Sequence, residues 1–251
     1  MASVRRPQVL AGTCGFAEAQ RALFRDFKIL EAQKTFYQPP KPSTAERWRE
    51  RAGREFVFTL KAWQLITHEA SSPTYRRLKE NLPPRLLARA GGFRWNDATR
   101  MAWERTTEIA DALRADTVVF QTPRRFLPGR DNLRRLRRFF EGIDRGGRRM
   151  VFEPRGDARS DDILRPLLRD LELVHGVDPV QRRPVGGGMR YFRLHGRSTY
   201  HYHYRYTDAD FDQLWRLLSR SWPNRVLFNN DSMAADARRF LQRTKKGVGD
   251  K

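Results

Sequence analysis

The sequence predicts an α/β protein that forms a single-domain TIM (β/α)8 barrel over residues 1–251, and three observations support this. Eight short apolar runs are spread along the 251 residues. Segments with helical periodicity separate most of these runs, which is the pattern of a parallel sheet. A chain of this length is typical of one barrel of this class. An open, doubly wound sheet is the alternative, because residues 177–189 between the sixth and seventh runs show no helical pattern.

Each predicted strand is a short run of branched and aromatic residues that ends near a glycine, a proline or a polar residue. Such runs are typical of strands buried on both faces of a parallel sheet. In chain order, the predicted strands are Gln8–Gly15, Ile29–Tyr37, Glu55–Lys61, Thr117–Thr122, Met150–Arg155, Leu171–Gly176, Arg190–Gly196 and Arg225–Asp231.

Capping residues and apolar stripes mark the helices between these strands. Ser43 with Glu46, and Thr207 with Asp210, have the spacing of a capping box at a helix start. Apolar residues at helical spacing predict further helices over 97–115, over 131–143, and from Asp231 or Ser232 through Leu241.

Two segments depart from this alternation. Residues 62–96 form a long insertion after the third predicted strand, and long loops in compact domains are usually functional or mobile. Residues 244–251 are expected to be a frayed tail. Neither a linker nor an internal repeat divides the chain, so we expect a single domain.

The chain is strongly basic. Lysine and arginine number 50 against 29 acidic residues, which gives a net charge of +21, and 42 of the 50 are arginine. A charge of this size is expected to attract polyanions such as DNA or RNA. The arginines are nevertheless spread over most predicted helices, as they would be in a chain with a general bias toward arginine.

The remaining composition indicates a cytoplasmic protein. Cys14 is the single cysteine, which excludes an internal disulfide framework and a site with several cysteine ligands. The apolar runs are too short to cross a membrane, and the first residues lack the apolar segment of a secretory signal. The sequence does not predict an oligomeric state.

Polar and charged residues collect at the predicted carboxyl ends of the strands, where barrels of this class place their active sites. Arg193 and His195 share one face of their strand, as do Glu153 and Arg155, because successive residues face opposite ways. The candidate catalytic residues are Glu153, His195, Glu31 and Lys61. The candidate substrate-binding residues are Tyr37, His68, Gln121, Arg155, Arg193, Tyr200, Asn229 and Asn230.

Four short motifs occur in order along the chain. They are Thr35-Phe36-Tyr37, Lys61 with Ile66-Thr67-His68, Arg193-Leu194-His195-Gly196, and Phe228-Asn229-Asn230. In order and approximate spacing these motifs resemble the YecE-like family, whose label is domain of unknown function 72. The resemblance runs from about residue 9 to residue 241. It implies a TIM-barrel fold and says little about activity.

Four positions differ from the usual pattern of that family. Cys14-Gly15-Phe16 stands where the family usually has serine, glycine and tryptophan. Gln38 replaces the arginine that usually follows the Phe-Tyr pair, and Gln33 replaces an asparagine. The resemblance therefore supports no phosphate or sugar contact at these positions.

A divalent metal is one possible cofactor of the predicted site. Neutral imidazole and carboxylate ligands suit zinc or manganese. No helical His-Glu-x-x-His motif is present. The candidate ligands are Glu31, Glu153, His68, His195, and His201 or His203.

Acid–base chemistry without a metal is the second possibility. Arg155 would keep Glu153 in its ionised form, and His195 would transfer protons near neutral pH. Glu31 and Glu153 also suit the carboxylate pair of a glycoside hydrolase. A buried Glu–Arg pair that only stabilises the barrel interior remains open, as does Cys14 as a nucleophile, although a lone cysteine is more often a small core residue.

The sequence favours an enzyme, specifically a hydrolase, that acts on a phosphate-bearing substrate. Phosphodiester hydrolysis in nucleic acid is the first choice. The alternatives are an isomerase or hydrolase of a sugar or sugar phosphate, and a non-catalytic nucleic-acid-binding barrel. We interpret residues 200–206, where tyrosines alternate with His201 and His203, as a lid or stacking surface because aromatic side chains can stack on bases.

Overall fold

Eight strands follow one another around a closed parallel barrel, as the sequence predicts. The structure is a computed structural model that describes residues 6–127, 129–156, 160–197 and 202–245. The strands are β1 (Val9–Cys14), β2 (Ile29–Ala32), β3 (Val57–Lys61), β4 (Thr117–Gln121), β5 (Arg149–Glu153), β6 (Leu173–Val177), β7 (Arg190–Leu194) and β8 (Asn224–Phe228). The open-sheet alternative is wrong, because β1 pairs with β8 from Val9 opposite Asn224 to Thr13 opposite Phe228.

Helices connect most of the strands. They are α1 (Gln20–Asp26), α2 (Lys34–Tyr37), α3 (Pro42–Ala52), α4 (Gln64–Thr67), α5 (Pro84–Leu87), α6 (Asp97–Leu113), α7 (Arg130–Gly142), α8 (Asp161–Asp170), α9 (Asp208–Leu217) and α10 (Met233–Lys245). A short 3₁₀ helix spans Pro73–Arg77. Residues 178–189 join β6 to β7 without a helix, which agrees with the absence of helical periodicity there.

The second strand is shorter than predicted. It ends at Ala32, and Lys34–Tyr37 forms α2. The hydroxyl group of Thr35 donates to the carbonyl oxygens of Ala32 and Lys61, each at 2.6 Å. Hydroxyl side chains that bond to nearby backbone groups compete with strand pairing. The prediction that Tyr37 and Gln38 end the second strand is therefore wrong.

The sixth strand begins and ends later than predicted. Glu172 precedes it in the left-handed backbone region, with a φ of 49°, so the chain turns there and β6 starts at Leu173. His175 consequently lies in the middle of β6 instead of at its end. The residue that follows this strand is Asp178, which the sequence analysis did not select.

The capping predictions have two outcomes. Thr207 and Asp210 form the predicted box, since each side chain accepts a hydrogen bond from the backbone N–H group of the other residue. Ser43 and Glu46 do not, because α3 begins at Pro42 and Ser43 already lies inside the helix, with Lys41 as the N-cap. Proline is favoured at the first helical position, where its missing N–H group costs nothing.

Backbone contacts divide the chain into two compact units. The first comprises the described parts of 1–31, 55–57 and 174–251. Its core includes four aromatic side chains from the β7–α9 connection, α9, β8 and α10, whose ring centroids lie between 5.5 and 6.3 Å apart in successive contacts. These side chains are Tyr206, Phe211, Phe228 and Phe240.

The second unit comprises 32–54 and the described parts of 58–173. Phe93 is fully buried at its centre, although it belongs to the predicted insertion. Its ring contacts five other phenylalanine rings, from β4, α7, β5 and the loop after β4. The backbone N–H groups of Gly91 and Phe93 donate to the carbonyl groups of Leu65 and Ile66. Residues 62–96 are thus anchored to the core by their last turn instead of forming a long open loop.

Gly12 is expected to be essential for stability. A Cβ atom at this position would collide with the backbone carbonyl oxygen of Ile29 in the neighbouring strand. Gly12→Ala should therefore lower the free energy of unfolding by about 3 kcal/mol, as other steric changes in a packed core do, in urea denaturation. Gly129→Ala, where no atom lies within 4 Å of the added Cβ, should cost less than about 1 kcal/mol. Equal losses would contradict the steric argument.

Candidate functional site

A hydrogen-bonded line of charged and polar side chains crosses the ends of three strands in the second unit. Lys61, Gln121 and Glu153 are the last residues of β3, β4 and β5. The Lys61 ammonium donates to Gln121 Oε1 at 2.6 Å, and Gln121 Nε2 donates to Glu153 Oε1 at 2.9 Å. Arg155 Nε donates to the same oxygen at 3.1 Å. We call these four residues the charged cluster.

A cation–π contact and a hydrogen bond from a backbone N–H group hold the charged cluster in place. Lys61 Nζ lies 3.6 Å from the centre of the Phe36 ring, which is a close cation–π contact. The backbone N–H group of Arg155 donates to the hydroxyl oxygen of Thr122 at 3.0 Å. The Glu153 and Arg155 side chains retain 6% and 13% exposure. Two cations and one carboxylate are thus held in fixed positions with a small exposed fraction, which favours binding of an anionic or strongly polar group.

His68 lies beside this cluster. Its ring packs edge-on against Phe36 at 5.0 Å between centroids, and its Nδ1 atom is 2.7 Å from the hydroxyl group of Thr67. Gly91 allows the end of the insertion to pack closely against His68 near its start, because a Cβ at Gly91 would collide with the His68 backbone. Burial, and then the positive charges of Lys61 and Arg155, lower the pKa of His68 from 6.5 to about 3. The imidazole is therefore neutral at physiological pH.

Tyr37 adjoins these residues through the aromatic contacts of α2. Its ring lies 5.0 Å from that of Phe36, and the Arg77 guanidinium lies 3.6 Å from the Tyr37 ring centre. The Tyr37 carbonyl oxygen accepts a hydrogen bond from Gln64 Nε2. The second unit thus brings together the predicted residues Lys61, His68, Gln121, Glu153 and Arg155, with Tyr37 nearby.

The first unit contains a separate buried ion pair. Arg193 donates through Nε and Nη2 to the two carboxylate oxygens of Glu31, at 2.9 and 2.8 Å. The Tyr191 hydroxyl group also donates to Glu31, at 2.9 Å. The side chains of Glu31 and Arg193 are 0% and 1% exposed. These contacts give no support to proton transfer by Glu31, and they match the arrangement of an ion pair that stabilises a barrel interior.

His195 is also buried in the first unit, just after β7. Its backbone N–H group donates to Asp178 Oδ2 at 2.8 Å, and its Nδ1 atom lies 3.4 Å from the same oxygen. The next residue, Gly196, donates its N–H group to the hydroxyl oxygen of Tyr206. His195 is only 1% exposed, and its predicted role in proton transfer stays a prediction.

The asparagines after β8 make hydrogen bonds within the protein. The Asn229 N–H group donates to the carbonyl oxygen of Leu194. The Asn230 amide donates to Asp236 Oδ2 and to the carbonyl oxygen of Tyr204, both at 2.7 Å. Asn230 therefore ties the segment before α9 to α10. Its predicted contact with a substrate stays a prediction.

Part of the predicted lid lies outside the described residues, namely Tyr200 and His201. His203 is described and pairs with Asp231 on the surface. Within the described ranges, no group of three or more histidine, cysteine, aspartate or glutamate side chains is arranged to hold a metal ion. The described candidate ligands contact other partners instead, as Glu31 contacts Arg193 and His203 contacts Asp231.

Sequence reasoning missed three side chains that shape these clusters. Tyr191 lies two residues before Arg193 and so shares its strand face, a signal that strand periodicity could have supplied. Asp178 was hidden by the misplaced end of the sixth strand. The ring of Phe36 lies beneath Lys61, and only the formation of α2 places it there.

The closed parallel barrel, with charged side chains at the carboxyl ends of its strands, places the molecule among the TIM-barrel proteins. The chain belongs to the family described as protein of unknown function DUF72, whose family model matches residues 17–251. This confirms the resemblance seen in the motifs. None of the curated proteins is similar enough in sequence to count as a relative.

Solved structures share this fold at low sequence identity. A DUF72 family protein from Enterococcus faecalis V583 matches with a TM-score of 0.70 and 13% identity, over 97% of this chain and 99% of the other. A xylose isomerase domain containing protein from Salmonella typhimurium LT2 matches with a TM-score of 0.61 and 12% identity, over 96% of each chain. A D-psicose 3-epimerase studied in the presence of D-fructose matches with a TM-score of 0.55 and 11% identity, over 98% and 99%.

The described helices also bear on the predicted absence of a membrane span. None of them has both the length and the apolar character needed to cross a bilayer.

The buried ion pair of the first unit is expected to be costly to break. Arg193→Met leaves the Glu31 carboxylate buried without its counter-charge, which should lower the free energy of unfolding by about 3–5 kcal/mol. The double change Glu31→Gln with Arg193→Met should cost less than the sum of the two single changes. Arg105→Ala, which removes an exposed ion pair to Glu80, should cost less than about 1 kcal/mol. Additive losses in urea denaturation would argue against direct coupling.

His68 is expected to make folding stability depend on pH. The unfolded chain binds a proton near pH 6.5, whereas the folded protein binds it only near pH 3. Stability should therefore fall as the pH is lowered between these values, by at most about 1.4 kcal/mol per pH unit from this group. Urea denaturation at several pH values should show a smaller slope for His68→Gln. Identical slopes in wild type and His68→Gln would refute the assignment.

Proposed function

We propose that this protein is an isomerase of a sugar or sugar phosphate, and that the charged cluster with His68 is its active site. The observation that carries the proposal is the fixed line from Lys61 to Arg155, with a neutral imidazole beside it. Isomerisation and epimerisation next to a carbonyl group need a base, a group that polarises the carbonyl oxygen, and a donor that moves protons between oxygens.

Glu153 is the proposed base. Arg155 and Gln121 both donate to its Oε1 atom, and this favours the carboxylate form and fixes its orientation. The carboxylate would remove a proton from the carbon next to the substrate carbonyl, and the protonated carboxyl group would deliver a proton to the adjacent carbon. One proton leaves carbon and one returns, so the reaction consumes no other reactant, and exchange with solvent while the proton is held on Glu153 would place deuterium on the sugar in D₂O.

Lys61 and His68 are the proposed electrophiles. The Lys61 ammonium would stabilise the negative charge that develops on the substrate oxygen as the proton leaves carbon. The neutral imidazole of His68, whose pKa is lowered to about 3, would donate a hydrogen bond and pass a proton between the two oxygens. A neutral histidine polarises the substrate carbonyl in the same way in triosephosphate isomerase, which is also a barrel enzyme.

The charge of the cluster favours an anionic sugar. Lys61 and Arg155 contribute two positive charges against the one negative charge of Glu153. Arginine forks match the geometry of phosphate and carboxylate groups. Arg155 is therefore the proposed contact for a substrate phosphate or carboxylate.

The similar structures favour this proposal over phosphodiester hydrolysis in nucleic acid, which is the first choice from the sequence alone. Two of the similar structures named above are a sugar epimerase and a protein with a xylose isomerase domain, and none of those named is a nuclease. Identities of 11% and 12% carry the fold alone, so the chemistry rests on the cluster. A phosphodiester would also suit two cations, and a nuclease assay with and without chelator tests that alternative.

Proton exchange with solvent offers the most direct test. The protein is incubated in D₂O with a panel of ketoses and aldoses, both free and phosphorylated, and deuterium at the carbon next to the carbonyl group is followed by NMR. We expect incorporation with at least one phosphorylated sugar. Glu153→Gln should slow it by about 100- to 10,000-fold, since general base catalysis contributes that much.

The matched control is Glu104→Gln, which changes an exposed glutamate of α6 and should leave the exchange rate unaltered. Arg155→Lys should raise the KM for phosphorylated sugars more than that for free sugars. An absence of deuterium from every sugar of the panel, or an equal effect of the two glutamate changes, would overturn the proposal.

A further inference from the structure

A basic cleft of about 870 Å³ lies in the second unit, on the outer side of α7. Arginine side chains dominate its lining, together with the half-buried side chain of Trp95. The arginines are Arg130, Arg134, Arg137 and Arg138, and the acidic residue of the lining is Glu141. The cleft is formed by residues other than those of the charged cluster, so it is a separate candidate binding site.

Three of these arginines form a line along the helix. Arg130, Arg134 and Arg138 follow one another at intervals of four residues, which places them on one face about 6 Å apart along the axis. All three are exposed. The line therefore spans about 12 Å, which is longer than one phosphate group and suits consecutive phosphates of a chain.

The arginine line is available to a ligand. Arg134 pairs with Asp131, and both side chains are largely exposed, at 74% and 68%, so this pair contributes little and exchanges easily. The side chains of Arg130 and Arg138 form no hydrogen bond or ion pair with any residue in the part of the chain that the structure describes. Unpaired guanidinium groups in a row are strong attractors of phosphate.

Trp95 provides an aromatic surface next to the arginine line. Gly142, the last residue of α7, allows the indole to pack against the helix, because a Cβ there would lie 2.8 Å from Trp95 Cζ2. The ring also contacts Phe139 edge-on at 6.1 Å between centroids. The indole is thus held in place at the cleft instead of moving freely in solvent.

We propose that this cleft binds single-stranded nucleic acid, with Arg130, Arg134 and Arg138 on consecutive phosphates and Trp95 stacked on a base. Sequence-tolerant binding of single strands combines a basic groove with aromatic rings on which bases stack. A duplex keeps its bases paired and leaves none for the indole. A mononucleotide has too few phosphates to reach from Arg130 to Arg138. The proposal does not depend on the sugar isomerase activity.

The test is the binding of a fluorescein-labelled oligothymidylate of 20 nucleotides to the full chain, measured by anisotropy over a series of KCl concentrations. The double variant Arg130→Glu with Arg138→Glu should bind at least tenfold more weakly. Because two phosphate contacts are lost, the slope of log K against log salt should become shallower by about 1.4. Trp95→Leu should weaken binding with little change in that slope.

The matched control is Arg216→Glu with Arg220→Glu, which removes the same charge from exposed positions in and after α9. It should weaken binding much less and keep the wild-type slope. Circular dichroism confirms that each variant is folded. Equal weakening by the two double variants would show attraction by net charge alone and overturn the proposal. Tighter binding of a duplex, or full competition by thymidine monophosphate at the same phosphate concentration, would overturn it as well.

Discussion

A buried charge in a protein interior needs a counter-charge or hydrogen bonds, and much of the structure around the strand ends follows from this constraint. An unpaired charge inside a protein costs several kcal/mol. Four buried charged residues lie at or next to the last position of their strands, namely Glu31, Lys61, Glu153 and Arg193. Each contacts an oppositely charged or hydrogen-bonding neighbour within its own unit. Strand length, the turn at α2 and the anchored insertion all serve to place these neighbours.

The two units meet this constraint differently. At Glu31, two guanidinium nitrogens of Arg193 and the Tyr191 hydroxyl group donate to the carboxylate, which is fully buried. At Glu153, Gln121 and Arg155 both donate to Oε1, and the Arg155 side chain is 13% exposed. The first arrangement is typical of a stabilising ion pair, and the second is typical of a group that also meets a ligand. Burial and direction of hydrogen bonds therefore separate residues that composition alone treats as equivalent.

The sequence predicted the barrel well, because eight apolar runs and their spacing follow directly from strands buried on both faces. It also predicted that Lys61, Gln121, Glu153 and Arg155 share an edge. It was less successful where tertiary contacts override local pattern. The Thr35 hydroxyl group ends β2 early through a bond to Lys61, and a distant partner of this kind leaves no local signal. The same applies to Glu31, whose role depends on Arg193, 162 positions away.

Phe93 limits how far the insertion after β3 can change in length. Loops of such proteins normally vary in length between relatives with little effect on the scaffold. Here the loop supplies the central ring of an aromatic core, and it does so from a left-handed backbone conformation with a φ of 53°. A deletion at the end of residues 62–96 would remove the buried side chain of Phe93. It would also remove Gly91, which packs against the backbone of His68. Insertions and deletions should therefore be rare at the C-terminal end of this insertion, and any graft of this loop onto another barrel would have to carry part of the receiving core with it.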